Sequence, residues 1–220
     1  MNLKIFNNRT EAGTILAKKL EKYRNDPKVV VVAIPRGGLP VGHSISSYLN
    51  LPLEIVLSKK IGHPLHKEFA VGAVTLDDID LSKDAIGIPK HYVKKETQRI
   101  RAKLLQRKEL YYGTRTPRSF KGKIAILVDD GVATGHTLLS SIELIDKQQP
   151  LRIVVAIPVG SPSTLKKIKE LPSVNELNYL LAPENFQSVG QFYKDFSPVE
   201  DQEAIRLFRD SIQGSAIDKH

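Results

Sequence analysis

Fifteen residues, 123–137, reading KIAILVDDGVATGHT, constrain this chain more than any other stretch. Residues 124–128 are an unbroken apolar run, the pattern of a strand covered on both faces in a parallel sheet. Asp129 and Asp130 follow at its carboxyl end, where open α/β sheets bind ligands. A loop with two glycines and two threonines comes next, then a helical stretch over residues 138–147. Strand, acid pair, loop and helix in this order predict a layered α/β fold with its chemistry at one sheet edge.

Two carboxylates side by side repel each other, so a partner must reward them. Two vicinal hydroxyls, each donating to an ionised oxygen, are such a partner. In the loop, Gly131 and Gly135 permit backbone angles that turn amides inward, and Thr134 and Thr137 add hydroxyl donors. Val132, Ala133 and His136 complete the loop, and the helix N-terminus adds partial positive charge. That environment suits a phosphate monoester. Two hydroxyls beside a phosphate describe a 5-phosphoribosyl group. The plainer reading is a strand and turn whose aspartates cap the next helix; another is an acidic pocket of the receiver type, which has no need of the T-G-x-T loop.

At 220 residues the chain suits one α/β domain with an accessory piece. It has no cysteine, which excludes disulfides, thiolate catalysis and thiolate metal sites. The N-terminal stretch MNLKIFNNRTEAG lacks the form of a signal peptide and no apolar run approaches membrane-spanning length, so a soluble cytoplasmic protein is expected. The net charge of +9 is concentrated: residues 90–118 hold ten basic and two acidic side chains, and the rest is close to neutral. There Val93, Ile100, Leu104 and Tyr111 fall on one narrow helical stripe, predicting an amphipathic helix with a basic outer face. Such a face is either simply solvated or a patch that attracts an anionic substrate or nucleic acid.

Along the chain, residues 9–24 read as helix, 29–34 as a buried strand, 41–49 as helix, and 53–57 and 69–76 as strands. Residues 58–67 look too basic and broken to be core, and 77–84 look like a polar turn region. Strand 153–157 and a helix near 164–171 follow the acid-pair unit. The word VVAIP occurs at 31–35 and again at 154–158, as expected of two parallel strands handing over to loops at the same edge. Strands alternating with helices predict a doubly wound, mainly parallel sheet. Residues 176–181 read as a further strand. Ser197-Pro198-Val199-Glu200 has the pattern of a capping box before a helix to about residue 212, and the tail 213–220 is expected to fray.

The segment 123–137 closely resembles the phosphoribosyl-diphosphate signature of the type I phosphoribosyltransferases. The resemblance spans nearly the whole chain: RTEAG, VAIPRGGLPVG, the basic KKIG loop, the long basic helix, VDDGVATGHT and PENFQSVGQFYKDF together look like a group of uncharacterised bacterial and archaeal members. It implies one domain over 1–220, with a core of about 25–172, a basic helical insert at 90–118, and a small hood from 1–24 and 173–220. It further implies that Asp129 and Asp130 orient the ribose while residues 131–137 hold the 5-phosphate. Arg36, Gly37 and Gly38, with Lys59, would bind diphosphate, and Lys60 would neutralise the leaving group. Phe186, Gly190 and Tyr193 would meet the acceptor under the hood, although aromatics at such spacing more often form core.

The cofactor implied is Mg²⁺ carried by the substrate, with few protein ligands. His63 and His66 suggest a metal by their spacing, but no third ligand accompanies them. The partners implied are phosphoribosyl diphosphate, a small heterocyclic acceptor and a second copy of the chain. The expected reaction moves the 5-phosphoribosyl group to a heterocycle nitrogen with release of diphosphate. The alternative is a sensor of the same ligand that binds RNA or DNA through the basic helix. One departure is informative: hypoxanthine-type members carry an acid where Ala133 stands, so the loop lacks the base that assists an oxopurine.

Overall fold

The computed structural model describes residues 5–67, 69–76 and 78–214. In chain order the helices are α1 (Arg9–Lys19), α2 (Gly38–Leu49), α3 (Lys90–Tyr112), α4 (His136–Asp146), α5 (Pro162–Lys169) and α6 (Asp201–Gly214). The strands are β1 (Val29–Ala33), β2 (Leu53–Ile55), β3 (Ser58–Gly62), β4 (Ala70–Thr75), β5 (Ile79–Leu81), β6 (Ile124–Val128), β7 (Arg152–Val159) and β8 (Glu176–Leu181). They form two compact units, one from residues 1–56 and 117–220, the other from 57–116.

The larger unit is built on a five-stranded parallel sheet of order β2-β1-β6-β7-β8. β1, β6 and β7 are apolar on both sides because helices cover both sides. Val30, Val32, Leu127, Val155 and Ile157 pack with Leu138, Ile142 and Ile145 of α4 and Leu165 and Ile168 of α5. On the opposite face α2 lies so close that a Cβ on Gly42 would touch Ala33, Leu53 and Val128. α1 crosses α2 with similar intimacy, Gly13 facing Val41 and Ser44. Val31, Val32, Ile126 and Val154 are fully buried, and each such side chain contributes about 1.5–3 kcal/mol of burial. This is the doubly wound architecture expected from the sequence, and all parallel strands present their carboxyl ends to the same edge.

The smaller unit is a three-stranded antiparallel sheet of order β3-β4-β5 with α3 packed on one face. Val93, Ile100 and Leu104 of α3 meet Ile61, Val71 and Val74, the apolar stripe read from the sequence. Two segments differ from their sequence pattern. Residues 58–62 form a strand rather than a broken loop, because Ile61 alone is enough to anchor it in the core while the lysines beside it stay at the surface. The stretch 77–84, read as a turn, contains β5, which has only three residues and Leu81 exposed.

The expected capping box at Ser197 is also absent. Ser197 turns back to Asp195, donating its amide at 3.0 Å and its hydroxyl at 2.7 Å to Oδ1, and the last helix starts at Asp201. A reciprocal capping box does occur nine residues earlier, between Ser188 and Gln191. Of the tail expected to fray, residues 215–220 lie outside the described residues.

Candidate active site

β6 delivers Asp129 and Asp130 to the carboxyl edge of the larger unit. Asp129 Oδ1 accepts the amide of Asp130 at 2.9 Å, which fixes the first carboxylate against its own backbone. Asp130 Oδ2 accepts Nε of Arg9 at 2.7 Å, an ion pair whose side chains are only 11% and 14% exposed. Burial pushes both carboxyls above the usual aspartate range; Asp129 goes furthest because the charge of Asp130 adds to desolvation, whereas Arg9 pulls Asp130 back down.

The loop after β1 folds against these acids. A Cβ on Gly37 would collide with the Asp130 carboxylate, and one on Gly38 would come within 2.9 Å of the Val128 carbonyl and 3.3 Å of Asp129 Oδ1. Gly37 needs glycine because the Asp130 carboxylate lies behind it, and Gly38 because the β6 backbone does. The Pro35-Arg36 peptide is cis. The Gly38 amide is spent on the Ile34 carbonyl at 3.0 Å, whereas those of Arg36 and Gly37 have no acceptor among the described residues. Arg36 is partly exposed and faces Asp201 at 3.5 Å and Glu200 at 4.0 Å at the start of α6.

The loop 131–137 is stitched to its neighbour by backbone. Val132 bridges Gly160, its amide donating to Val159 and its carbonyl accepting from Ser161, while its side chain is buried. The Ala133 carbonyl accepts the hydroxyls of Ser161 at 2.8 Å and Thr164 at 2.6 Å. Gly135 adopts φ 82°, a conformation that side chains resist, and sets the first residue of α4. Among the described residues the amides of Ala133, Thr134, Gly135, His136 and Thr137 donate to no protein acceptor. Thr134 Oγ1 lies 3.2 Å from His136 Nδ1. Amides without a protein acceptor at the head of a helix are donors that an anion could use.

Residues 186–196 pack against the acid pair and the start of its loop. Tyr193 is 6% exposed, packs on Phe6 and Phe196 with centroids 5.4 and 5.1 Å away, and donates its hydroxyl to the Asp130 carbonyl at 2.6 Å. Burial and the neighbouring aspartates raise its phenol far above the ordinary value, so it remains a donor. Gly190 is small because a Cβ would meet Phe196 at 2.9 Å. Phe186 is partly buried and stacks on Phe192 at 5.7 Å. Val189 packs beneath Gly131.

Arg9 escaped sequence reasoning, since its partner is 121 residues away. The only available signal was its place in the RTEAG word. Lys59 and Lys60 lie on β3 of the smaller unit; Lys59 is held below the usual lysine range, first by burial and then by Lys103, Arg99 and Arg107. His63 and His66 stack at 5.8 Å, and no cluster of three or more metal-ligating side chains occurs among the described residues. No helix among them is long and apolar enough to cross a membrane.

Residues 3–191 match the sequence model of the phosphoribosyl transferase domain. The chain belongs to the phosphoribosyl transferase family. A provisionally named phosphoribosyl transferase of Mycobacterium tuberculosis (strain H37Rv) is 30% identical to this family member over 224 residues, covering 98% of the chain and 50% of the relative. The chain thus spans about half the length of the curated relatives it matches first. A uracil phosphoribosyltransferase of Aquifex aeolicus is 27% identical over 73% of the chain and 57% of its own length. Among solved structures, a Thermus thermophilus protein superposes with a TM-score of 0.82 at 34% identity, covering 94% of this phosphoribosyl transferase family member and 98% of that chain.

Proposed function

We propose that this protein transfers the 5-phosphoribosyl group of phosphoribosyl diphosphate to a nitrogen of a small heterocycle, releasing diphosphate. The observation that carries the reading is the adjacent pair Asp129 and Asp130 backed by Gly37 and Gly38 at one strand end and followed at once by the free amides at the head of α4. Asp129 and Asp130 accept hydrogen bonds from the ribose hydroxyls. The amides of residues 133–137, with Thr134 and Thr137, hold the 5-phosphate. Arg36 and the free amides of Arg36 and Gly37 hold the diphosphate. Lys59 and Lys60 are assigned to the leaving group on family resemblance.

The transition state expected is oxocarbenium-like, so the chain contributes positioning of the ribose and charge stabilisation of the departing diphosphate. The donor set fits a Mg²⁺ ion carried by substrate oxygens and water: two carboxylates stand at the site, one already bound to Arg9, and neither is assigned as a direct ligand. The ion's charge would offset that of the diphosphate. The acceptor is a nucleobase or related heterocycle, and Ala133 speaks against an oxopurine that needs a base from the loop. Phe186 and Gly190 line the hood, and Tyr193 serves the site through its hydroxyl on Asp130. We assign the protein to the cytoplasm and, by family habit, to a homodimer.

The test is incubation of purified protein with phosphoribosyl diphosphate, Mg²⁺ and a pool of heterocycles, read by mass spectrometry. A phosphoribosylated product with matching diphosphate release, lost in Asp130→Asn, is the expected result; intact phosphoribosyl diphosphate that also fails to bind overturns the reading. A second reading, a sensor of the same ligand that binds RNA or DNA, is favoured by the gathering of Lys103, Arg99 and Arg107 about Lys59 in the smaller unit. It predicts nucleic-acid binding that depends steeply on salt and changes with phosphoribosyl diphosphate.

A further inference from the structure

We propose that Arg9 is a positioning residue of the ribose seat: it holds the Asp130 carboxylate in place and fastens it to the hood. This rests on the reading of Asp130 as a ribose ligand. Three anchors converge on one guanidinium. Nε donates to Asp130 Oδ2 at 2.7 Å, Nη1 donates to the Ser197 carbonyl at 2.8 Å, and the plane lies 3.8 Å from the centre of the Phe196 ring. A planar fork is needed for all three, which a lysine ammonium does not supply.

The backbone that carries Arg9 is itself fixed. Asn8 caps α1 by accepting the Glu11 amide at 2.9 Å, and Glu11 returns the contact to the amide and side chain of Asn7. Phe6 joins the hood through its amide to Phe192 and its carbonyl to Lys194, both at 2.8 Å, while Asp195 donates its amide to Asn7 at 3.0 Å. Arg9 therefore enters the site from a segment that the hood already holds. Asp130 is gripped at its carboxylate by Arg9 and at its carbonyl by Tyr193, and Phe196 packs against both of those residues. The charged or titratable groups facing Asp130 are Arg9, Asp129 and Tyr193. Arg9 is the cation among them, and it lowers a carboxyl that burial raises.

A purely structural arginine and a positioning arginine differ in what their removal does once Asp130 is neutral. The experiment compares Arg9→Gln, Arg9→Lys, Asp130→Asn and the Arg9→Gln/Asp130→Asn double variant, measuring phosphoribosyl-diphosphate affinity across pH. Arg9→Gln is expected to weaken binding about 10- to 100-fold and to move its acid limb to higher pH. Arg9→Lys restores only part, and Arg9→Gln costs no more than about 3-fold in the Asp130→Asn background. An equal loss in both backgrounds, or an unmoved acid limb, overturns the proposal. Carbon-13 titration of the Asp130 carboxyl in the ligand-free protein gives a second reading: Arg9→Gln must raise its titration point, and an unchanged value overturns the proposal. A shifted titration in a protein that binds no phosphoribosyl diphosphate would instead overturn the functional reading and leave the Arg9–Asp130 pairing intact.

Discussion

Tyr193→Phe removes one oxygen and leaves everything else about the side chain in place. The ring is 6% exposed and its packing on Phe6 and Phe196 survives, so no apolar burial is lost. What disappears is the 2.6 Å bond from the hydroxyl to the Asp130 carbonyl, leaving that acceptor without this donor inside the protein. An unsatisfied buried group costs about 1–3 kcal/mol. At ~2–4 °C per kcal/mol for a chain of this size, the melting temperature falls by about 2–12 °C. Thermal denaturation followed by circular dichroism measures the shift, and isothermal titration with phosphoribosyl diphosphate measures the accompanying loss of affinity. Were Tyr193 present to stack its ring on an acceptor, the phenylalanine would serve equally well for phosphoribosyl diphosphate. A variant with unchanged melting and unchanged affinity refutes the argument that this hydroxyl supports the acid pair.

Asp129→Asn is expected to melt higher than the wild type near neutral pH. The folded protein holds this carboxyl above its unfolded value, so its favourable contribution is complete below the unfolded value of about 4 and is lost as pH rises through the folded one. The amide has no such loss, and melting curves from pH 4 to 8 should show the gap closing on acidification; a constant gap refutes the assignment. Gly37→Ala places a methyl against the Asp130 carboxylate, and a cost of about 1–3 kcal/mol in urea unfolding is expected together with weaker phosphoribosyl-diphosphate binding. If the smaller unit binds nucleic acid, Lys103→Gln with Arg107→Gln should lower the salt slope by about 2, one for each phosphate contact removed; an unchanged slope places the contacts elsewhere.

The central sheet was legible because β1, β6 and β7 are apolar on both faces, and a run such as VVAIP admits few other readings. The acid pair was legible because a strand end, two carboxylates and a glycine loop are contiguous. β3 was not, because a strand covered on one face can be mostly polar, and Lys59 and Lys60 hide the single buried Ile61. The start of α6 departs from its sequence pattern because Ser197 donates its amide and hydroxyl to Asp195 instead of accepting the amides of a helix start, and the helix begins only at Asp201. Tyr193 reads as an aromatic surface when its hydroxyl is what meets the site, a role fixed by a contact across 63 residues. Gly190 looks like room for a ligand and is room for Phe196.

Asp130 is gripped by residues 121 positions before it and 63 positions after it. During synthesis the acid pair therefore leaves the ribosome well ahead of the tyrosine that braces it. Until residue 193 emerges, Asp130 has at most one of its two clamps, Arg9. Long-range contacts of this kind form late in folding. A polypeptide interrupted anywhere between residues 137 and 193 would carry the whole loop signature and still lack the brace.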